Sequence, residues 1–334
     1  MQQLKNLPEI STESFKKLKT GKNLLAFSGG VDSSALFFIL LANDIKFDIA
    51  IVDYQLREQS KSEIKYAKEL TKRYGKILYH KKANIPKNNF EHNARIFRYD
   101  FFKEIIKEEN YTNLITAHQL NDKLEWFLMQ FTKGAGVVEI LGFDELKKQD
   151  GFTLVRPLIN TSKDELLNFL KSNEIRYFTD KSNEDTKYRR NYFRKNFSNM
   201  LLKNYKKGII KSFEYLQSDK KELFQFEIYK QIQNIYIIKT SQSDIKNLRA
   251  IDTVFKKIGY LLSKKQKDEI IIKKDIVISD KFAVVIKNDF IYISPFIKIK
   301  MDKKFKEKCR IKKIPPKIRG YICKNHLDLN LFNL

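Results

Sequence analysis

The chain has 334 residues, of which 42% are hydrophobic and 13% aromatic. It is long enough for about two folded domains and too apolar for a disordered or fibrous protein. Its 65 Lys and Arg residues against 40 Asp and Glu give a formal net charge of +25. This excess favours a polyanionic partner, although a Lys-rich composition is also typical of a compositionally biased genome. Residues 201–334 hold 31 Lys and Arg against 14 Asp and Glu, and so carry +17 of that charge. We therefore expect strongly salt-dependent binding of a phosphate backbone.

The sequence pattern predicts a cytoplasmic protein with reduced cysteines. Residues Met1–Ile10 lack a long apolar core, and the longest apolar run, Ala35–Ala42, is far shorter than the roughly 20 residues that span a bilayer. Cys309 and Cys323 form no Cys-x-x-Cys pair, and together with His326 they make an incomplete set of zinc ligands. We interpret them as ordinary thiols.

The first half of the chain alternates short apolar runs with helical patterns. The predicted strands are Leu24–Phe27, Asp48–Val52, Ile77–Tyr79 and Leu114–Ala117. The predicted crossover helices are Ser33–Ala42, Lys61–Tyr74, Glu91–Lys107 and Asn121–Lys133. Such alternation predicts an α/β fold in which a doubly wound parallel sheet is covered on both faces. Ligands of these sheets bind at the carboxyl ends of the strands.

The second half predicts a smaller α+β domain. A loop-rich segment, 133–185, is followed by a basic helical stretch, Tyr188–Ile232, which we interpret as a linker. Two helices and three β-type runs come next: Ile245–Lys257, Lys264–Ile272, Ile276–Ser279, Phe282–Ile286 and Phe290–Ser294. For the Lys-rich segment Lys298–Lys317, a mobile basic tail and an extra strand pair are both open. The predicted domains are 1–200 and 201–334.

The motif with the clearest chemistry is Ser28-Gly29-Gly30-Val31-Asp32-Ser33, directly after the first predicted strand. Its two glycines allow a tight turn and close approach of a ligand, and the helix that follows directs free N–H groups at an anion. The pattern predicts a phosphate site, with Asp32 available to hold Mg²⁺. It is not a Walker A loop, which needs Gly-x-x-x-x-Gly-Lys-Ser/Thr. A plain turn with a Ser or Asp cap is the alternative.

This motif resembles the PP-loop of the N-type ATP pyrophosphatases. Those enzymes cleave ATP between the α- and β-phosphates and convert an amide-like carbonyl into an adenylate, so that AMP leaves when a nucleophile attacks. The family includes GMP and NAD synthetases, asparagine synthetase, tRNA thiolases and lysidine synthetases.

Further motifs resemble the lysidine synthetases in particular, in the same order along residues 20–200. They are Val52-Asp53-Tyr54-Gln55-Leu56-Arg57, Glu91-His92-Asn93-Ala94-Arg95 with Arg98-Tyr99-Asp100-Phe101-Phe102, Thr116-Ala117-His118-Gln119-Leu120-Asn121-Asp122 with Glu125, Lys133-Gly134-Ala135-Gly136, Arg156-Pro157-Leu158, Asp180-x-Ser182-Asn183-x-Asp185, and Tyr188-x-Arg190-Asn191-x-x-Arg194.

The chain also departs from that family pattern. Tyr54, Gln119, Asn121 and Lys133 stand where His, His, Asp and Arg are usual. Only Asp122 remains of two neighbouring carboxylates, although Asn121 still offers an oxygen ligand and Lys133 a positive charge.

The resemblance implies ligation of free L-lysine to C2 of the wobble cytidine in the CAU-anticodon tRNA(Ile). ATP would be the co-substrate and Mg²⁺ its metal, the cytidine would be adenylated, and AMP and pyrophosphate would leave. The product, lysidine, changes codon specificity from AUG to AUA. The basic C-terminal domain would bind the tRNA, and a homodimer is an open alternative for the assembly.

Site residues follow from the same resemblance. Asp122 and Glu125, three apart on one helix, project from one face and are candidates for the lysine ammonium group. The other predicted roles are catalytic for Asp32, Asp53, Arg95, His118 and Asp122, nucleotide-binding for Ser28, Gly29, Gly30, Val31, Asp32 and Ser33, and substrate-binding for Arg190 and Arg194. Taken alone, an Asp-x-x-Glu pair on a helix is typical of a solvated surface.

Two other functions stay open. A PP-loop tRNA thiolase shares the nucleotide chemistry, but both cysteines lie beyond residue 300, far from the loop. A catalytically silent RNA-binding protein would keep the fold and release no pyrophosphate. Modification of a base also requires the cytidine to leave its stack. Tyr188, Tyr192 and Phe193 are aromatic candidates there, and none is assigned from sequence.

Overall fold

The computed structural model describes residues 4–55, 58–86, 88–179, 187–223, 226 and 228–333. The chain forms two compact units, Met1–Leu216 and Gln217–Leu334. The division falls within the helix Asn199–Leu223, later than the predicted domain boundary at residue 200. The motif residues Leu56, Arg57, Asp180, Ser182, Asn183 and Asp185 lie outside the described residues.

The first unit consists of alternating strands and helices. Its strands are β1 (Asn23–Ala26), β2 (Asp48–Asp53), β3 (Leu78–Lys82), β4 (Asn113–Ile115), β5 (Leu146–Lys148) and β6 (Thr153–Val155). Its helices are α1 (Thr12–Thr20), α2 (Val31–Ala42), α3 (Glu58–Tyr74), α4 (Phe90–Glu109), α5 (Leu120–Phe131), α6 (Val137–Ile140), α7 (Lys163–Ser172), α8 (Arg189–Phe193) and α9 (Asn199–Leu223). A π-helical turn, Arg194–Ser198, joins α8 to α9.

The strands form one sheet in the order β3-β2-β1-β4-β6-β5, parallel except for the edge strand β5. Adjacent side chains of β1 point to opposite faces, as the period of a strand requires. Leu25 packs in the cluster formed with α2, α3 and α7, whereas Leu24 packs in the cluster of Phe101 and Phe102 on α4. Because both faces are covered, the buried middle residues of the central strands β1, β2 and β4 are apolar. The predicted α/β class with a doubly wound parallel sheet is confirmed.

The second unit is an antiparallel sheet covered by helices. Its strands are β7 (Ile228–Ile232), β8 (Ile235–Lys239), β9 (Asp275–Ile278), β10 (Phe282–Lys287) and β11 (Phe290–Pro295), in the order β7-β8-β11-β10-β9. Its helices are α10 (Asp244–Lys257), α11 (Lys264–Lys273), α12 (Lys303–Ile311) and α13 (Pro316–Lys324), followed by a 3₁₀ turn, Leu329–Phe332.

Both faces of this sheet are buried. Tyr236 and Ile238 of β8 pack with α10 and α11, while Ile235 and Ile237 pack with α12 and α13. Gly320 of α13 lies against the carbonyl oxygen of Ile297, where a Cβ atom would clash.

Three predictions of secondary structure were wrong. The segment 133–185, expected to be loop-rich, contains α6, β5, β6 and α7. The helical stretch predicted to reach Ile232 ends at Leu223, and its last residues form β7. The Lys-rich segment Lys298–Lys317 is neither a mobile tail nor a strand pair, because it contains α12 and the start of α13. Cys309 and Ile318 lie on the buried faces of these helices while the lysines point outward. Among the described residues, no helix is both long and apolar enough to cross a bilayer.

Candidate active site

A cavity of about 960 Å³ opens at the carboxyl ends of β1, β2 and β4. Strands β2 and β4 lie on either side of β1, so the chain leaves β1 where the strand order reverses. This is the position at which doubly wound sheets bind ligands. The walls come from three strand ends, from α4 and α7, and from the segment around the π turn. The lining residues include Ser28, Gly30, Val31, Asp32, Ser33, Tyr54, Arg98, His118, Asp122, Lys163, Arg190, Arg194, Lys195 and Asn199.

The turn after β1 contains two glycines, Gly29 and Gly30. Gly29 has φ of +73°, in the region that side chains disfavour, and a Cβ there would lie 3.2 Å from the ring of Phe178. Gly30 is the N-cap of α2 and lines the cavity together with the first residues of that helix. The first amide groups of α2 are therefore accessible to an anion.

Serine hydroxyls hold this turn in place. The Ser28 amide donates to Ser33 Oγ over 3.2 Å, and the two hydroxyl oxygens are 3.0 Å apart. Ser34 Oγ donates to the carbonyl of Gly29 over 3.1 Å. The amide of Phe178 closes the other side by donating to the same carbonyl over 2.9 Å. The turn is therefore preorganised, which reduces the free-energy penalty of binding a phosphate chain.

Asp32 has an incompletely satisfied carboxylate on the cavity wall. Its Oδ1 is buried and has no hydrogen-bond partner within the described part of the chain. Burial raises the pKa of Asp32 to about 7, with a further increase from Asp122 and opposing effects of Lys163 and Arg194. A buried oxygen without a partner suits a cation, and Mg²⁺ is commonly held by one or two carboxylates with phosphates and water. The described residues contain no cluster of three metal-binding side chains.

His118 is neutral at physiological pH. It follows β4, and its Nδ1 lies 2.9 Å from the hydroxyl of Thr116. Its ring centroid lies 5.4 Å from that of Phe143. Burial lowers the pKa of His118 to about 4, an effect that Asp122 opposes and nearby arginines reinforce. A neutral imidazole can accept or donate one hydrogen bond but contributes no charge.

Asp122 and Glu125 are both bound by arginines. Arg190 Nη2 is 2.5 Å from Asp122 Oδ1, and Arg190 Nε is 2.8 Å from Glu125 Oε2. Arg194 donates to both oxygens of Glu125, over 2.7 and 3.0 Å. The Glu125 side chain is only 1% exposed. Two carboxylates and two guanidinium groups thus neutralise one another, and they fix the segment 190–194 against α5. Burial alone would lower the pKa of Arg190, but Asp122 and Glu125 outweigh that effect and raise it.

An amide network joins three elements beneath the cavity. Asn121 Nδ2 donates to Asn199 Oδ1 over 3.1 Å, and Asn121 Oδ1 accepts the amide of Lys163 over 3.0 Å. Asn199 follows the π turn, and its backbone N–H donates to the carbonyl of Arg194. Asn121, which departs from the family pattern, is thus a neutral link between α5, α7 and α9.

Some predicted site residues are not on the cavity wall. Asp53 is buried, its Oδ1 accepts the Gln55 amide over 2.9 Å, and it is not among the lining residues. Arg95 is exposed and stacks on Tyr99 with 5.0 Å between the guanidinium carbon and the ring centroid. Gly29 and Glu125 lie just behind the wall. The roles predicted for these residues stay predictions.

Sequence reasoning missed Lys163, Lys195 and Asn199. Lys163 had a recognisable signal, since Ser162 and Glu165 form a capping box that fixes the start of α7. Lys195 and Asn199 had none, because Lys195 lies within the π turn and Asn199 directly follows it.

Residues 4–201 match the PP-loop domain family. The chain is therefore a PP-loop protein, and ATP is its co-substrate.

Curated relatives narrow this class. The tRNA(Ile)-lysidine synthase of Campylobacter jejuni is 45% identical over 323 residues, which cover 96% of this chain and 98% of the relative. Those of Helicobacter pylori and Wolinella succinogenes are 44% and 39% identical, and they cover 90% and 93% of this chain with 89% and 96% of their own lengths. The chain belongs to the tRNA(Ile)-lysidine synthase family. It is an ATP-dependent ligase that modifies tRNA.

Proposed function

We propose that this protein joins free L-lysine to C2 of the wobble cytidine in the CAU-anticodon tRNA(Ile), through a cytidine adenylated on its C2 oxygen. That oxygen attacks the α-phosphorus of ATP, and pyrophosphate leaves. The ε-amine of lysine then attacks C2, and AMP leaves with the oxygen. The location of the reaction would be the cytoplasm.

The observation that carries the proposal is the composition of one cavity. It combines a preorganised phosphate-type loop, the unpartnered Oδ1 of Asp32 and a neutral His118. Lys163, Arg98 and Lys195 add positive charge to the cavity wall. The ion pairs of Asp122 and Glu125 with Arg190 and Arg194 do not neutralise that charge. Such a wall suits a triphosphate that leaves in two anionic pieces.

Individual roles follow from the contacts. The turn Ser28–Ser33 would hold the phosphates with its amide groups and hydroxyls. Asp32 would hold the Mg²⁺ that neutralises the triphosphate charge. His118 is a candidate to exchange a proton with the lysine amine, since its imidazole is neutral.

The lysine site is proposed at Asp122 rather than Glu125. Asp122 lines the cavity, whereas Glu125 does not, and both oxygens of Glu125 are bonded to Arg190 and Arg194. We propose that Glu125 positions these guanidinium groups. Asp122 would then bind the lysine ammonium group in place of Arg190.

The unit Gln217–Leu334 is proposed to bind tRNA, because it holds 27 Lys and Arg against 13 Asp and Glu. Replacing the exposed Lys303, Lys304 and Lys308 of α12 with Gln should weaken tRNA binding and reduce its salt dependence, with ATP binding unchanged. Unchanged tRNA affinity would contradict this role. A homodimer is an open alternative for the assembly, and sedimentation measurements would test it.

The central test is mass spectrometry of the CAU tRNA after incubation with the protein, ATP, Mg²⁺ and isotopically labelled lysine. The expected product carries lysine, less one water, on a single cytidine. Asp32→Ala should form no product while binding tRNA nearly as well as the wild type does. Failure of the wild type to form product or to release pyrophosphate would refute the proposal, and transfer of sulfur instead would support a thiolase.

A further inference from the structure

A row of exposed side chains lies directly beside the cavity. Residues four apart lie above one another on a helix face. In the segment from α8 through the π turn, Asn191, Lys195 and Asn199 form such a row and line the cavity. The neighbouring row, one position further along, contains Tyr188, Tyr192, Asn196 and Met200.

Three members of this second row are large and exposed. Tyr188 is 48% exposed, Tyr192 47% and Met200 55%. The Tyr192 ring is supported from behind, with centroids 6.0 Å from those of Phe193 and Phe197. Phe193, another aromatic candidate from the sequence, is buried and serves as that support. An aromatic surface held rigidly at the edge of a nucleotide cavity suits the π-face of a base.

The chemistry of the reaction calls for such a surface. A cytidine that enters the cavity must leave its stack, and unstacking costs a few kcal/mol. The bases beside it lose a stacking partner at the same time. Aromatic side chains next to the cavity can replace that partner for any base.

We propose that Tyr188 and Tyr192 form a stacking platform for the unpaired anticodon-loop bases next to the wobble cytidine, with Lys195 on the adjoining phosphate. The proposal rests on the function proposed above. Charge supports RNA as the occupant, because the platform adjoins Arg189 and Lys195. A second copy of this chain would bring an equally basic surface against it, whereas an RNA loop brings phosphates.

The first test is binding of an anticodon stem-loop RNA with a CAU anticodon, measured by fluorescence anisotropy. Tyr192→Ala should weaken binding about 5- to 150-fold, which corresponds to the roughly 1–3 kcal/mol of one stacked base. Tyr192→Phe keeps the ring and should bind within about twofold of the wild type. Tyr215→Ala is the matched control, since Tyr215 is also an exposed tyrosine, lies on α9 and should have no effect. Thermal unfolding of all variants checks that they are folded.

Two further readouts separate stacking from charge. Tyr192→Ala should lower affinity by the same factor at every salt concentration, whereas Lys195→Gln should reduce the salt slope by about one. With 2-aminopurine in place of the adenine that follows the cytidine, wild-type protein should quench its fluorescence and Tyr192→Ala should not.

The outcomes distinguish the platform from the function on which it rests. If Tyr192→Ala and Tyr215→Ala bind alike while the wild type still joins lysine to tRNA, the platform is wrong and the proposed function stands. If the wild type neither binds RNA nor joins lysine, both are wrong. A changed sedimentation coefficient of free Tyr192→Ala would assign the row to contact between copies and overturn the platform.

Discussion

Binding of Mg²⁺ and ATP should release a proton from Asp32. The pKa of this carboxyl is about 7, because its buried environment disfavours the charge. A cation on the unpartnered Oδ1 favours the ionised form and lowers that pKa. The fraction of Asp32 that carries a proton is about 0.9 at pH 6, about 0.5 at pH 7 and about 0.1 at pH 8. The same numbers of protons are expected to leave Asp32 per nucleotide bound.

The assay is isothermal titration calorimetry in two buffers that differ in ionisation enthalpy, at each of the three pH values. Asp32→Asn is the control, because it removes the titrating group and keeps the shape, and the difference between the two proteins cancels protons that leave ATP. His118 does not interfere, since its pKa of about 4 leaves it neutral throughout. Without Mg²⁺, the triphosphate should bind weakly and release no proton from Asp32.

Equal proton release from the wild type and Asp32→Asn would refute this reasoning, and so would release that increases from pH 6 to pH 8. The same pKa has a consequence for stability. The folded state keeps a proton on Asp32 that the unfolded chain loses near pH 3.8. The stabilisation that this proton gives the folded state is therefore full below pH 3.8 and is lost as the pH rises through about 7. Asp32→Asn should therefore gain unfolding free energy relative to the wild type between pH 4 and pH 8.

Three further substitutions test the packing of the site and of the second unit. Glu125→Ala removes the carboxylate that binds both arginines, so that Arg194 loses its two hydrogen bonds and Arg190 keeps only Asp122, and we expect a loss of about 3 kcal/mol in urea unfolding; a loss below about 1 kcal/mol would contradict a stabilising role of these ion pairs. Gly29→Ala should weaken ATP binding and destabilise the fold by about 1–2 kcal/mol, whereas Gly75→Ala, also at positive φ but in open space, should affect stability alone; equal ATP affinities would contradict this. Gly320→Ala should destabilise the second unit by about 2 kcal/mol or more in a thermal melt, because its Cβ meets the Ile297 carbonyl; a melting temperature equal to that of the wild type would contradict that close approach.

The sequence predicted what local patterns determine. The strand Asn23–Ala26, the glycine turn and the helix from Val31 follow one another within 20 residues, so their hydrophobic pattern and turn chemistry are read together. The parallel sheet follows from repetition of that pattern. The nucleotide side of the site was therefore visible before the structure.

Contacts over long sequence separations were not visible. Glu125 meets Arg194 across 69 positions, and nothing in an Asp-x-x-Glu pattern distinguishes a solvated face from a buried ion pair. Asn199 likewise meets Asn121 across 78 positions. The apolar face of α12 is narrow and is interrupted by lysines, so the sequence pattern alone did not predict a helix that packs on the sheet.

The two-sided covering of the C-terminal sheet restricts how that unit can touch RNA. RNA-recognition domains of the open-sheet type stack bases on aromatics that project from an uncovered sheet face. Here Tyr236 and Tyr292 project from opposite faces of the sheet, and each is buried beneath helices. Any RNA contact of this unit must therefore use helix exteriors, loops or outer strands, and the exposed lysines of α12 would recognise backbone shape and charge rather than base identity.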